Sequence, residues 1–176
     1  MEESGVLLVK PAIEWREPYI AFYREWKDSG ERMVPWVIGK DPSDFPAMLR
    51  FLSDNANGIN LREGWVPDST YWLVNQDGSK VLGAVNIRHG LTGYLFDRGG
   101  HIGYGIRPSE RQKGYAKKLL ALSLGIAKEL DIRKALVTCD DTNAASAKTI
   151  ERNGGVRDTD YIEENGNVVR RYWIDT

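Results

Sequence analysis

Cysteine and histidine are both scarce: one Cys139, and only His89 and His101, in 176 residues. A single thiol excludes an internal disulfide and a cysteine-built zinc centre, and no metal is expected. Long apolar runs are missing too. None approaches the ~18 residues that cross a bilayer. The opening MEESGVLLVK is acidic before a four-residue apolar run, so it is not expected to act as a secretory signal, which needs a basic start and ~7–15 apolar residues. An excess of one charge is also lacking. Lys and Arg number 24 against 25 Asp and Glu, for a net charge of -1. A duplex-binding surface usually carries a basic patch. Neither nucleic acid nor a membrane is therefore an expected partner, and the chain reads as cytoplasmic. The nucleotide motifs are incomplete: no Gly-Lys-Ser/Thr phosphate loop occurs, and Gly103-x-Gly105 meets Pro108 where a dinucleotide fingerprint needs its third glycine.

What is present is the balance of a globular protein, 41% hydrophobic and 28% charged. The length suits one ordinary domain over residues 1–176, as a monomer or homodimer. Six tryptophans are many for this length and read first as core and rim packing.

The hydrophobic period changes along the chain. Gly5–Lys10 reads as a short strand. Ala12–Ser29 carries helical spacing, with Pro18 leaving its start open, and Asp41-Pro42 opens a second helical stretch through Phe45, Met48, Leu49 and Leu52. TYWLVN, KVLGAVNIRH and HIGYGI are β-prone runs, the first two joined by the turn signal Asp77-Gly78. LTGYLFDRGG reads as a mobile loop. Gln112–Leu130 is an amphipathic helix with Leu119, Leu120 and Ala127 on its apolar face. RKALVTCD is a buried strand, and AASAKTIERN a helix stopped by Gly154-Gly155. VRDTDYIEE and VVRRYWID close the chain as strands around Asn165-Gly166. The order implies an α/β class: one mixed, mostly antiparallel sheet flanked by helices.

The segment RPSERQKGYAKKLL, from Arg107 to Leu120, runs a basic, glycine-bearing loop into the long helix. A helix N-terminus leaves N–H groups unpaired and carries about half a positive charge, so it suits an anion. The competing reading is a capped surface helix, because Ser109-x-x-Gln112 fits a capping box. Arg111-Gln112-Lys113-Gly114-Tyr115-Ala116, between a strand ending at Ile106 and that helix, resembles the R/Q-x-x-G-x-G/A signature of the GNAT superfamily of acetyl-CoA-dependent N-acetyltransferases. The resemblance extends over about residues 70–155 and includes VTCDDTNAASAKTIERNGG downstream. It implies that the backbone from Arg111 through Gln112, Lys113, Gly114 and Tyr115 to Ala116 holds the coenzyme A pyrophosphate. It also implies that Tyr104, Gly105 and Ile106 offer their strand to the pantetheine arm, joined by Asn143 and Ser146. A helix cap is the other reading of Asn143.

The implied reaction is acetyl transfer from acetyl-CoA to a primary amine by direct attack in a ternary complex, on a small molecule or on a protein. Alternatively the domain binds acyl-CoA without catalysis. The family's tyrosine seven residues after the asparagine is Ile150 here, and Tyr172 is a conceivable substitute acid. An amine near pKa ~10 must lose a proton before it attacks. His101 is the candidate base; alternation groups it with Gly103 and Gly105 unless a bulge reverses its facing, and a structural histidine bonded within the core is the alternative. Glu63 is a second candidate, as base or amine-binding carboxylate, against the simpler reading of a solvated loop charge. Arg88 and His89 end a strand and are placed to line an acceptor pocket with Trp36 or Trp65. Cys139 reads as a small buried hydrophobe.

Overall fold

The structure, a computed structural model, describes residues 5–176; the acidic start of the chain lies outside them. Four strands, β1 (Val6–Val9), β2 (Asp68–Asn75), β3 (Val81–Arg88) and β4 (Ile102–Ile106), form an antiparallel sheet in chain order. A second sheet centres on β8 (Val168–Asp175), which pairs antiparallel with β5 (Lys134–Asp140), β6 (Val156–Arg157) and β7 (Tyr161–Ile162).

Alternation along the first sheet divides the apolar side chains between two cores. Leu73, Val85, Ile87 and Ile102 face α3 (Tyr115–Glu129), packing with Leu119, Leu120 and Ala127. Trp72, Val74 and Ala84 face α1 (Arg16–Asp28) and α2 (Phe45–Ala56), where Tyr19, Phe22, Trp26, Phe45 and Met48 are buried. Tyr19 stacks on Trp72 with ring centroids 4.0 Å apart. Fully burying side chains of this size contributes ~1.5–3 kcal/mol each, so the two cores hold the sheet between its helices.

Several boundaries differ from the sequence reading. A 3-10 turn, Ile13–Trp15, precedes α1, and Pro18 sits in the first helical turn, where its missing N–H costs nothing. α2 opens at Phe45 rather than at Pro42, because the Asp44 carboxylate accepts the Ala47 N–H at 3.0 Å and Pro46 falls in the first turn. The expected mobile loop instead makes a π-helical turn at Leu95–Gly99, held by Gly100 N–H on the Leu95 carbonyl and by Arg171 Nε on the Phe96 carbonyl. The strand expected over VRDTDYIEE is broken into β6 and β7. Between them Asp158 gives its N–H to the Arg171 carbonyl, and its carboxylate accepts from Trp173 Nε1 at 2.8 Å and Arg171 Nη1 at 3.0 Å. The Asp77-Gly78 turn forms, with Gly78 at φ +72°.

Candidate active site

The two sheets meet at one point and then part. His101 donates its backbone N–H to the Leu136 carbonyl at 2.7 Å, and its Nδ1 accepts the Leu136 N–H at 2.9 Å. An imidazole thus replaces one partner of a strand ladder. Beyond this joint β4 pairs only with β3, and β5 only with β8. Each therefore turns an unpaired backbone edge toward the other.

A cleft of about 700 Å³ opens there. Its inner part is walled by Ile102, Gly103 and Tyr104 of β4, Thr138 and Cys139 of β5, and Asn143 and Ser146 at the start of α4 (Ala144–Glu151). Its outer part is bounded by Trp36, Trp65 and Tyr94, with Asp68 and Arg88 reaching in from β2 and β3. Trp36 and Trp65 stand edge to face at 5.2 Å and are about half exposed. They form a rim here, whereas Trp26 and Trp72 belong to the core.

The histidine expected as base is committed to structure. Its Nδ1 lone pair is used by Leu136, which leaves the proton on Nε2, and burial beside the Arg88 charge pushes its pKa down to about 4. The β3–β4 register runs without a shift from Gly83 to Ile87, so no bulge turns the histidine outward. Glu63 is exposed and outside the cleft wall, although its neighbours Gly64 and Trp65 line it. His89 is also outside, its Nε2 2.7 Å from Ser69 Oγ.

Two carboxylates line the cleft, Asp140 at the end of β5 and Asp68, and the sequence reading missed Asp68. It is 3% exposed, and its Oδ1 accepts from Asn86 Nδ2 at 2.6 Å. Burial raises its pKa, against the Asn86 hydrogen bond and the Arg88 and His89 charges. The available signal was alternation: Asp68, Thr70 and Trp72 share one face of β2. Arg88 lies directly across the ladder from Asp68. Its guanidinium packs on the Gly103 backbone, where an added Cβ would come within 3.1 Å of Nη1.

Tyr104 faces the opposite side of β4, with its hydroxyl 3.1 Å from Ser146 Oγ. Burial pushes its pKa up to about 12, so it stays a neutral donor throughout the ordinary pH range. Tyr172 is no substitute acid, because its hydroxyl donates to Glu151 at 3.2 Å and it does not line the cleft. Ile150 is fully buried. Cys139 is buried, and that burial pushes its thiol pKa up, as suits an inert side chain.

The loop before α3 is built for backbone donation. The capping box does not form: Gly114 is the N-cap residue with no side-chain bond, and Ser109 N–H goes instead to Glu25 Oε1 at 2.9 Å. Glu25 also holds Arg107, at 2.5 Å. Gln112 and Gly114 take left-handed backbone, φ +61° and +82°, and a Cβ on Gly114 would meet nothing within 4 Å, so the space before α3 is open. Arg111 and Lys113, the cations of this basic loop, are both paired. Arg111 pairs with Glu31 at 2.6 Å and lies over Trp26, while Lys113 pairs with Glu110 at 3.0 Å. The positive field of the loop is mainly that of the helix end. At Gly105 the same strand is squeezed from the other side: a Cβ there would stand 2.2 Å from the Val34 carbonyl oxygen. Asn143 caps α4 through Oδ1, which accepts the Ser146 N–H at 3.1 Å, and it also lines the cleft. Both readings of that residue are therefore compatible with the geometry.

Among the described residues, no helix is long and apolar enough to cross a membrane, and no three His, Cys, Asp or Glu side chains gather as a metal site.

The fold recurs in solved acetyltransferases. Spermidine N-acetyltransferase from Vibrio cholerae, dodecameric in its structure, superposes with a TM-score of 0.64 at 16% identity, covering 98% of this chain and 95% of that one. A microcin self-immunity acetyltransferase, solved with acetyl-CoA and AMP, gives 0.66 at 17% identity, with 99% and 97% covered. A ribosomal-protein alanine acetyltransferase from Vibrio fischeri gives 0.65 at 14%, with 97% and 91% covered. A search of curated proteins finds no match. The model of the acetyltransferase (GNAT) domain matches residues 6–156, taking in the split between β4 and β5 and the uncapped start of α3, so the chain belongs to the GNAT acetyltransferases and is an acyltransferase.

Proposed function

We propose that the protein transfers the acetyl group of acetyl-CoA to a primary amine of a small molecule, by direct attack in a ternary complex. The observation that carries this reading is the pair of unpaired strand edges, β4 and β5, facing each other across the cleft. A pantetheine arm has amide groups that can bond such edges as an added strand does. Backbone N–H groups from Gln112 to Ala116 suit the pyrophosphate, at an uncapped helix start with room in front of Gly114. Asn143 and Ser146 stand beside the arm. The size of the cleft favours a small acceptor, since such sites typically run ~300–1,000 Å³.

The acceptor enters past Trp36 and Trp65, on the face of the sheet opposite Tyr104. Asp68 receives its proton, directly or through water; a desolvated carboxylate is a better base than an exposed one. The neutral amine attacks the thioester carbonyl, the C–S bond breaks, the thiolate leaves toward Tyr104, and the second proton passes from the new amide nitrogen to that thiolate, directly or through water. The Tyr104 hydroxyl, backed by Ser146, donates a hydrogen bond to that sulfur and fills the place of the tyrosine missing at Ile150.

Titration calorimetry with acetyl-CoA and CoA, followed by thiol release across an amine panel, tests the proposal. Binding together with amine-dependent release supports it. Binding with release no faster than the amine-free background would leave only an acyl-CoA-binding module.

A further inference from the structure

Three guanidinium groups, Arg32, Arg88 and Arg98, line the cleft, against two carboxylates, Asp68 across the ladder from Arg88 and Asp140 at the end of β5. Arg98 is offset by Glu163 at 2.9 Å and lies over the Tyr94 ring at 4.6 Å. Arg88 is the deepest of the three. Its guanidinium makes a long hydrogen bond of 3.3 Å to the Gly99 carbonyl, and burial disfavours its charged form more than the nearby Asp68 charge favours it. Arginine nevertheless keeps its charge in proteins, so a desolvated guanidinium is stabilised by an anion that fits its planar fork.

Resting on the acetyl-transfer reading above, we infer that the acceptor is an amine that also carries an anionic group, a carboxylate or phosphate, on an apolar body. The anion meets Arg88, with Arg32 at the mouth. The apolar body lies between Trp36 and Trp65, and the amine reaches the seam of β4 and β5. This arrangement disfavours polycationic acceptors, because a polyamine would bring ammonium groups among three guanidiniums. It also helps the chemistry, since positive charge beside the reacting nitrogen favours its neutral, nucleophilic form.

The test compares matched acceptors with the intact protein and acetyl-CoA: phenylalanine, its decarboxylated counterpart phenethylamine, its phosphonate analogue (the carboxylate replaced by a phosphonate), and spermidine. The expected result is a kcat/KM for phenylalanine or its phosphonate analogue at least 10-fold above those for phenethylamine and spermidine. The carboxylate and phosphonate arms tell the two kinds of anion apart. Arg88→Gln should collapse the ratio; should it fail to fold, Arg32→Gln, at an exposed position, should narrow it through the KM of the anionic acceptor. Release with spermidine or phenethylamine equal to or above that with the anionic amines overturns the inference and leaves the acetyl-transfer reading intact. A ratio that neither variant moves does the same. Release with no amine at all, while CoA binds, overturns both.

Discussion

Removing one oxygen from Tyr104 should slow the chemical step while sparing the fold and the affinity for acetyl-CoA. The leaving thiolate has a pKa near ~8.5, the reference value for an alkyl thiol, and the Tyr104 pKa is pushed up to about 12. Full proton transfer from that phenol to that thiolate is uphill by about 3.5 units, or roughly 5 kcal/mol. Tyr104 is therefore a hydrogen-bond donor to the developing charge rather than a proton source. A hydrogen bond to a charged group is worth ~1.5–3 kcal/mol, which converts to a loss of about 10–150-fold in kcat for Tyr104→Phe. General-acid loss typically costs ~10²–10⁴-fold, so the two roles differ in size as well as in pH behaviour. The donor stays protonated, so it should give no basic limb below about pH 10. The assay is single-turnover acetyl transfer across pH, with acetyl-CoA affinity measured separately by calorimetry. Thermal unfolding should change little, because Ser146 keeps its place and only one partly buried hydrogen bond is lost. An unchanged kcat in the Phe variant would refute the role. A loss confined to acetyl-CoA binding would show that Tyr104 only packs against the arm.

The fold was legible wherever local chemistry is strong. Asp77-Gly78, Gly154-Gly155 and the helical period of α3 each act over a few residues, and each element forms, although α3 opens at Tyr115 rather than at Gln112 and α4 ends at Glu151. The loop signature was legible for the same reason. What the sequence concealed are relations across long separations. Tyr104 and Ser146 lie 42 residues apart, His101 and Leu136 35 apart, and Arg111 meets Glu31 from a different element. No period marks such pairs. Asp68 was hidden differently: VPDST reads as turn chemistry, and only the strand that starts there carries the carboxylate inward. VRDTDYIEE misled in the opposite direction, because its alternation suits a strand while the chain parts from β8 after Asp158, whose N–H still meets the Arg171 carbonyl and whose carboxylate accepts from Arg171 and Trp173.

Three further outcomes follow from the same geometry. Gly114→Glu should abolish acetyl-CoA binding by calorimetry, since it puts a carboxylate at the anion-facing helix end on backbone at φ +82°; retained affinity would remove the loop from the site. Asp68→Asn should lower the amine-dependent rate by about 100-fold or more at unchanged acetyl-CoA affinity, and a near-normal rate would pass the base role to water alone. His101 separates structure from catalysis most sharply. Its folded pKa of about 4 lies below the unfolded value of ~6.5, so the unfolded chain binds the proton first. The stability it supports is fully present above pH 6.5 and is lost as pH falls toward 4, on the order of 2–3 kcal/mol. His101→Gln offers Leu136 an acceptor that cannot be protonated in this range, so its denaturation midpoint should vary less with pH than that of the parent protein. His101→Ala leaves the Leu136 N–H without its partner and should cost ~1–3 kcal/mol at neutral pH, before any cavity term, and less as pH falls toward 4. Because the ring's basic nitrogen faces Leu136 rather than the acceptor, the Gln variant at neutral pH should turn over within a few-fold of the parent. A hundredfold slower Gln variant with native stability would return His101 to the role of base.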